Sequence, residues 1–187
     1  MVVSEFYQEL LTTAGAESRI LNLRDLPADF VGSALYENTG KNQAFNQMTK
    51  LITNSEKFVF VVPEYNGSFP GVLKAFIDGM AYPVSFKDKK CALLGLSSGV
   101  QGGALALSHL TDIFNYLGMH VLALKVRMPG IENLLTDGRI DDELILELLD
   151  MQIKDLIKFW GHGALGSRRT GEQENRRAIE QGEHLNK

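Results

Sequence analysis

Short apolar runs alternate along the chain with stretches whose apolar residues recur at helical spacing. The runs are Ile20-Leu21-Asn22-Leu23, Phe58-Val59-Phe60-Val61-Val62, Cys91-Ala92-Leu93-Leu94-Gly95-Leu96 and Val121-Leu122-Ala123-Leu124. The second is unbroken in β-branched and aromatic residues, the pattern of a strand covered on both faces. Between and after them, Ala44, Met48, Leu51, Ile52 and Ser55 form one helical stripe and Val72, Leu73, Phe76, Ile77 and Met80 a second. Leu110, Ile113, Phe114 and Leu117 form a third, and Leu146, Leu149, Ile153, Leu156, Ile157 and Trp160 a fourth. Each stripe reads as the buried face of a helix. Phe6 to Leu11 predicts a further helix that begins almost at Met1. Strands alternating with helices predict βαβ crossovers, hence a doubly wound α/β fold with a mostly parallel sheet between two helical layers.

The 187 residues suffice for one core. Residues 1–165 are assigned to a single domain. From Gly166 to Lys187 the chain is rich in mixed charge and poor in apolar residues, and it reads as a charged C-terminal tail.

Charge narrows the function. With 19 basic and 23 acidic residues the formal charge is −4, which offers no global positive field for nucleic acid. No apolar run approaches the roughly 20 residues that span a bilayer, and no basic region followed by an apolar stretch opens the chain, so a cytoplasmic protein with no membrane partner is expected. His109, His120, His162 and His184 stand apart, and no metal-ligand spacing is present, so no metal site is expected. Cys91, the one cysteine, sits among apolar residues and reads as a small buried hydrophobe.

Two loops carry the candidate chemistry. After the second run comes Pro63-Glu64-Tyr65-Asn66-Gly67-Ser68-Phe69-Pro70-Gly71. Asn66-Gly67 and Pro70-Gly71 are turn dipeptides, Tyr65 supplies a flat face, and Asn66 and Ser68 supply donors and acceptors for a planar ligand with polar edges. After the third run comes Ser97-Ser98-Gly99-Val100-Gln101-Gly102-Gly103, whose glycines permit close backbone approach at the start of a helix. In a doubly wound sheet both loops leave the carboxyl ends of strands, where ligands bind. Gly95-Leu96-Ser97-Ser98-Gly99 also matches the G-x-S-x-G pattern of a nucleophile elbow. The downstream histidine that such a hydrolase needs would be His162, at the border of the charged tail, a poor place to hold a base.

Residues 63–78 closely resemble the P-E-Y-N-x-S-x-P-G-x-L-K-x-x-I-D signature of the NADPH-dependent FMN reductase family, flavodoxin-like proteins that include quinone and azo-dye reductases. The likeness extends from about Phe6 to Trp160. Asn22-Leu23-Arg24-Asp25-Leu26-Pro27 is similar to the family's second strand and its exit, and residues 97–103 to its second flavin loop. The resemblance implies a flavodoxin-like, three-layer α/β/α fold, FMN as cofactor, and NADPH or NADH as co-substrate. It implies hydride transfer through FMN to a flavin, quinone or azo acceptor, in a homodimer or homotetramer. It implies that Pro63, Glu64, Tyr65, Asn66, Ser68, Ser97, Ser98, Gly99, Gln101, Gly102 and Gly103 contact the cofactor, and that no catalytic acid or base is required of the protein.

The resemblance breaks at the start. Members of the family begin with a strand and a phosphate-wrapping loop, whereas here the first helix starts at once. In flavodoxin-like order the first strand lies between the second and third, so its loss leaves those two roughly 9.6 Å apart, beyond hydrogen bonding. The favoured expectation is that further residues precede Met1; the others are that the strands close up or that another segment fills the slot. Without the phosphate cradle, weakened or absent FMN binding is expected. The alternative function is a non-enzymatic flavodoxin-like electron carrier or interaction module.

Overall fold

The computed structural model describes residues 1–82 and 85–159. Along the chain run α1 (Val2–Thr13), α2 (Phe30–Ala34), α3 (Gln43–Thr53), β1 (Lys57–Pro63), α4 (Gly71–Asp78), β2 (Lys90–Leu96), α5 (Ala104–Tyr116), β3 (His120–Val121), β4 (Val126–Met128), α6 (Ile131–Leu134), β5 (Leu135–Thr136), β6 (Arg139–Ile140) and α7 (Glu143–Lys158). β1 and β2 pair in parallel from Lys57 with Lys90 to Pro63 with Leu96. β3 and β4 both pair in parallel with the other side of β2. β5 and β6 form a separate antiparallel hairpin across Asp137 and Gly138, both at positive φ.

The three expected layers are present. On one face, α2 to α5 bury Phe30, Phe45, Leu73, Phe76, Leu110 and Phe114. On the other, α1 and α7 bury Phe6, Tyr7, Leu11, Ile145, Leu149 and Ile153 against the sheet. Because helices cover both faces, β2 is buried from Cys91 to Gly95, which is why it reads as a continuous apolar run. The thiol of Cys91 is enclosed, and burial pushes its pKa up to about 12. The α3 stripe turns inward on Phe45 and Ile52, whereas Ala44 is exposed. Trp160 and the tail from Gly166 lie outside the described residues.

Two sequence expectations are corrected. Ile20 to Leu23 forms no strand: Leu23–Asp25 is a single 3₁₀ turn whose first N–H groups are capped by Asn22, the side chain accepting from Arg24 N at 3.1 Å. A strand exists through its pairing, and this segment has no neighbour in reach. Nor do the segment and β1 close up on each other. Between them lies a cavity of about 1190 Å³, lined among others by Leu21, Leu23, Val59, Val61, Tyr7 and Phe76. The last run is also broken. Val121 ends β3, and the chain leaves the ladder before resuming at Val126.

Gln152 fills that break. Fully buried on α7, its side-chain amide donates to Leu93 O at 3.1 Å and Leu124 O at 2.9 Å, and its Oε1 accepts from the Tyr7 hydroxyl at 3.1 Å. Burial drives the Tyr7 hydroxyl far above the ordinary tyrosine range, so it remains a donor. One side chain thus satisfies one strand carbonyl, one carbonyl of the break and one phenol inside an apolar core. Gln152→Leu keeps the volume and strands all three groups, each costing about 1–3 kcal/mol when buried without a partner. A loss of about 2–4 kcal/mol in urea unfolding is expected once relaxation is allowed for; an unchanged midpoint would show that the amide carries no weight.

Candidate functional site

The parallel register of β1 and β2 brings the two candidate loops out side by side at the carboxyl edge of the sheet. The first is anchored where the strand ends, Glu64 N donating to Leu96 O at 2.8 Å. It then folds into a tight hairpin. Tyr65 N donates to Ser68 O at 2.7 Å and Ser68 N to Tyr65 O at 3.0 Å, with Asn66 at φ 51° and Gly67 at φ 73°. Positive φ at both central residues is the type I′ turn that Asn-Gly favours. The turn pushes Tyr65 outward, 61% exposed, and holds Ser68 where its hydroxyl lies 2.9 Å from His109 Nδ1 on α5. Pro70 then starts α4, giving no N–H where a helix needs none.

Backbone crowding shapes the second loop. An added Cβ at Gly95 would meet the carbonyl oxygen of Gly102 and lie 3.1 Å from Gly103 Cα. Gly102 and Gly103 have φ of 59° and 79°, and a Cβ on Gly102 would fall 2.9 Å from Arg127 Cβ. These glycines let the loop lie flat on β2 and β4 before α5 begins. Ser97 staples the turn: its hydroxyl donates to Gly99 O at 2.8 Å and accepts from Gly102 N at 2.9 Å. Gly130 N and Ile131 N donate to Gly99 O and Ser97 O, each at 3.0 Å, which ties the loop to the segment after β4. With its proton given to a backbone carbonyl, Ser97 is a structural hydroxyl and not an activated nucleophile; His162 lies outside the described residues.

Ser98, Gly99, Val100 and Gln101 are left as an exposed rim facing outward beside Tyr65 and Asn66. Of the eleven residues expected from sequence, all lie on these two adjoining loops, but Ser97, Gly102 and Gly103 hold the loop's shape while the others face outward or line its base. Sequence reasoning missed His109, whose distance from Ser68 in the chain hides the contact. One group is out of balance. Glu64 Oε2 is buried and accepts no hydrogen bond among the described residues. A buried acceptor without a donor is costly, so this oxygen fits a site in which a bound group supplies the donor. Among the described residues no group of metal-ligating side chains occurs.

The chain is similar to known proteins over most of its length. Residues 2–130 match the family described as NADPH-dependent FMN reductase. The chain is 33% identical over 137 residues to an NAD(P)H-dependent FMN reductase of Pseudomonas aeruginosa, covering 69% of this chain and 74% of that one. It is 30% identical over 108 residues to an NAD(P)H:quinone oxidoreductase of Solanum tuberosum, 58% of this chain and 55% of that one. Among solved structures, the FerB flavoenzyme NAD(P)H:(acceptor) oxidoreductase of Paracoccus denitrificans superposes with a TM-score of 0.67 at 26% identity, covering 86% and 90% of the two chains.

The loop contacts separate two glycines of one motif. Gly95→Ala is expected to cost about 1–3 kcal/mol through overpacking against backbone, whereas Gly99→Ala, with nothing within 4 Å of the added methyl, stays within about 0.5 kcal/mol. Thermal melting of both variants checks this; equal melting temperatures would refute the backbone contact.

Proposed function

The chain belongs to the NADPH-dependent FMN reductase family, and from that premise we propose that the paired loops hold the flavin end of FMN while a quinone, azo compound or free flavin takes up the electrons. It is an NAD(P)H-dependent FMN oxidoreductase. The observation that carries the placement is the meeting of the 64–70 and 97–103 loops at the carboxyl edge of one ladder, beside Glu64 Oε2, a buried oxygen that has no donor among the described residues.

When bound, FMN would supply the hydride chemistry between nicotinamide and the acceptor. The protein's residues bind and orient. Tyr65 offers an exposed ring for stacking, Asn66 and Ser68 offer side-chain hydrogen bonds, and residues 98–101 present backbone to polar edges. Glu64 Oε2 is the acceptor for a donor on the bound group. Pro63 ends the strand and sets the entry of the loop. His109 and Ser68 hold each other, which keeps the Asn66-Gly67 turn in place. A quinone acceptor is supported by the name of the potato relative, and the matches to reductases favour turnover over a carrier or interaction module.

The same reading includes residues 1–165 as one domain, a cytoplasmic site of action and no nucleic-acid partner, in keeping with the −4 charge. It includes association into a homodimer or homotetramer. Val72 on α4, Leu105 at the start of α5 and Tyr65 are exposed apolar or aromatic side chains on the elements that carry the site, of the kind that subunits cover.

The test is a titration of the chain with FMN and with riboflavin, followed by quenching of flavin fluorescence. Because the placement rests on loops at the ring, both ligands are expected to saturate, with dissociation constants within about tenfold of each other. Quenching by neither would remove the loops from the cofactor site. In parallel, NADPH oxidation in the presence of FMN and benzoquinone is expected; its absence in a sample that binds FMN would reinstate a carrier.

A further inference from the structure

The hairpin that carries Tyr65 is held by little. Tyr65 and Ser68 exchange their two backbone hydrogen bonds, and among the described residues the side chains of Tyr65, Asn66 and Ser68 make one hydrogen bond to the rest of the fold, between the Ser68 hydroxyl and His109 Nδ1 at 2.9 Å. Tyr65, Asn66 and His109 are all exposed, so water competes for these bonds. A turn with few buried contacts and solvent-exposed hydrogen bonds opens readily. At its tip stands Asn66-Gly67, the one place in the sequence where glycine follows asparagine. Gly67 N donates to no acceptor among the described residues, and no Cβ shields it. Asn54, also exposed and followed by a small residue, differs in this respect: the next nitrogen, Ser55 N, is engaged with Ile52 O at 3.3 Å. A carboxamide beside a free and unshielded peptide nitrogen is the setting in which asparagine is chemically labile.

We propose that Asn66 is a site of spontaneous deamidation whose rate is set by the opening of the 65–68 hairpin, with the Ser68–His109 contact as its brake. The step uses only the chain and water. Gly67 N, its proton lost to solvent, attacks Asn66 Cγ; the Cγ–Nδ2 bond breaks, the leaving nitrogen takes up a proton from water and departs as ammonia, and a succinimide ring closes. Water then opens the ring at either carbonyl. Attack at Cγ gives aspartate, and attack at the backbone carbonyl gives isoaspartate, in which the chain runs through the side chain; nothing is oxidised or reduced. The closed turn holds this chemistry back. In a type I′ turn the first central residue has ψ of about +30°, by mirror symmetry with type I, which turns the following nitrogen away from Cβ. Ring closure needs that nitrogen nearly eclipsed with Cβ, so ψ must swing through most of a half-turn, and the swing breaks both bonds between Tyr65 and Ser68. Isoaspartate leaves an extra carbon in the backbone of the turn, which no longer meets the two-residue geometry that pairs Tyr65 with Ser68.

The experiment holds the full chain, folded and with no flavin added, at mildly alkaline pH and physiological temperature, and follows the tryptic peptide 58–74 by chromatography and mass spectrometry. Asn66 is the one side-chain amide in that peptide, so a change from amide to acid reports on it alone. First-order conversion to aspartate and isoaspartate together is expected, slower than in the same chain unfolded in urea. His109→Ala, at an exposed position, is expected to keep the circular dichroism of the parent and to convert roughly threefold to tenfold faster, the gain in opening that follows from losing one hydrogen bond of ordinary net strength. In urea, where the contact does not exist, variant and parent are expected to convert alike. No conversion in the folded chain, conversion as fast folded as unfolded, equal or slower conversion in folded His109→Ala, a difference between variant and parent that persists in urea, or acid formed without isoaspartate would each overturn the proposal. None of these readouts involves flavin, so the proposal and the cofactor reading can fail separately.

Discussion

The parallel ladder between β1 and β2 is the contact on which the site depends. It is a long-range pairing: the chain must close the loop through α4 before the first bond forms, and the entropy of that closure is repaid only when the full register is in place. Once formed, it sets two loops from distant parts of the sequence at one level. Each then folds by its own local rules, the first through positive φ at Asn66 and Gly67, the second through the close approach of Gly103 to Gly95. The sheet fixes where the loops are, and the turns fix what they show.

What the loops show is chiefly backbone. Ser97 spends its hydroxyl on the loop itself, and Ser68 shares its own with His109. This suits a reaction whose bonds are made and broken on a cofactor, where the protein's task is to position a ring and govern access to it. It also explains why so few charged side chains appear at the site, and why Glu64 stands out there.

Much of this was legible in the chain and some was not, for physical reasons. β1 and β2 could be read because burial on both faces forces an unbroken apolar run. The Asn66-Gly67 turn could be read because its backbone angles admit few residues. The Ile20 to Leu23 run is also largely apolar and yet is not a strand, since pairing is a property of two segments and its neighbour is out of reach. The break between β3 and β4 was invisible because what stabilises it, Gln152, is contributed by a distant helix and looks in sequence like a polar interruption of an apolar stripe. Likewise the glycines of the second loop are apparent as glycines, but only packing reveals that Gly102 and Gly103 shape the loop while Gly99 lies open.

The position of Cys91 has a chemical consequence. Quinones are electrophiles that alkylate thiolates, and a protein that meets them at every turnover is at risk of self-inactivation. Here the one thiol lies in the middle of β2, fully buried and held protonated by its surroundings, with a pKa pushed up to about 12. The nucleophilic form is nearly absent at neutral pH, and an acceptor cannot reach it without unfolding the sheet. The same packing that makes β2 the centre of the fold shields its thiol from electrophiles such as the quinone acceptor of the proposed reaction.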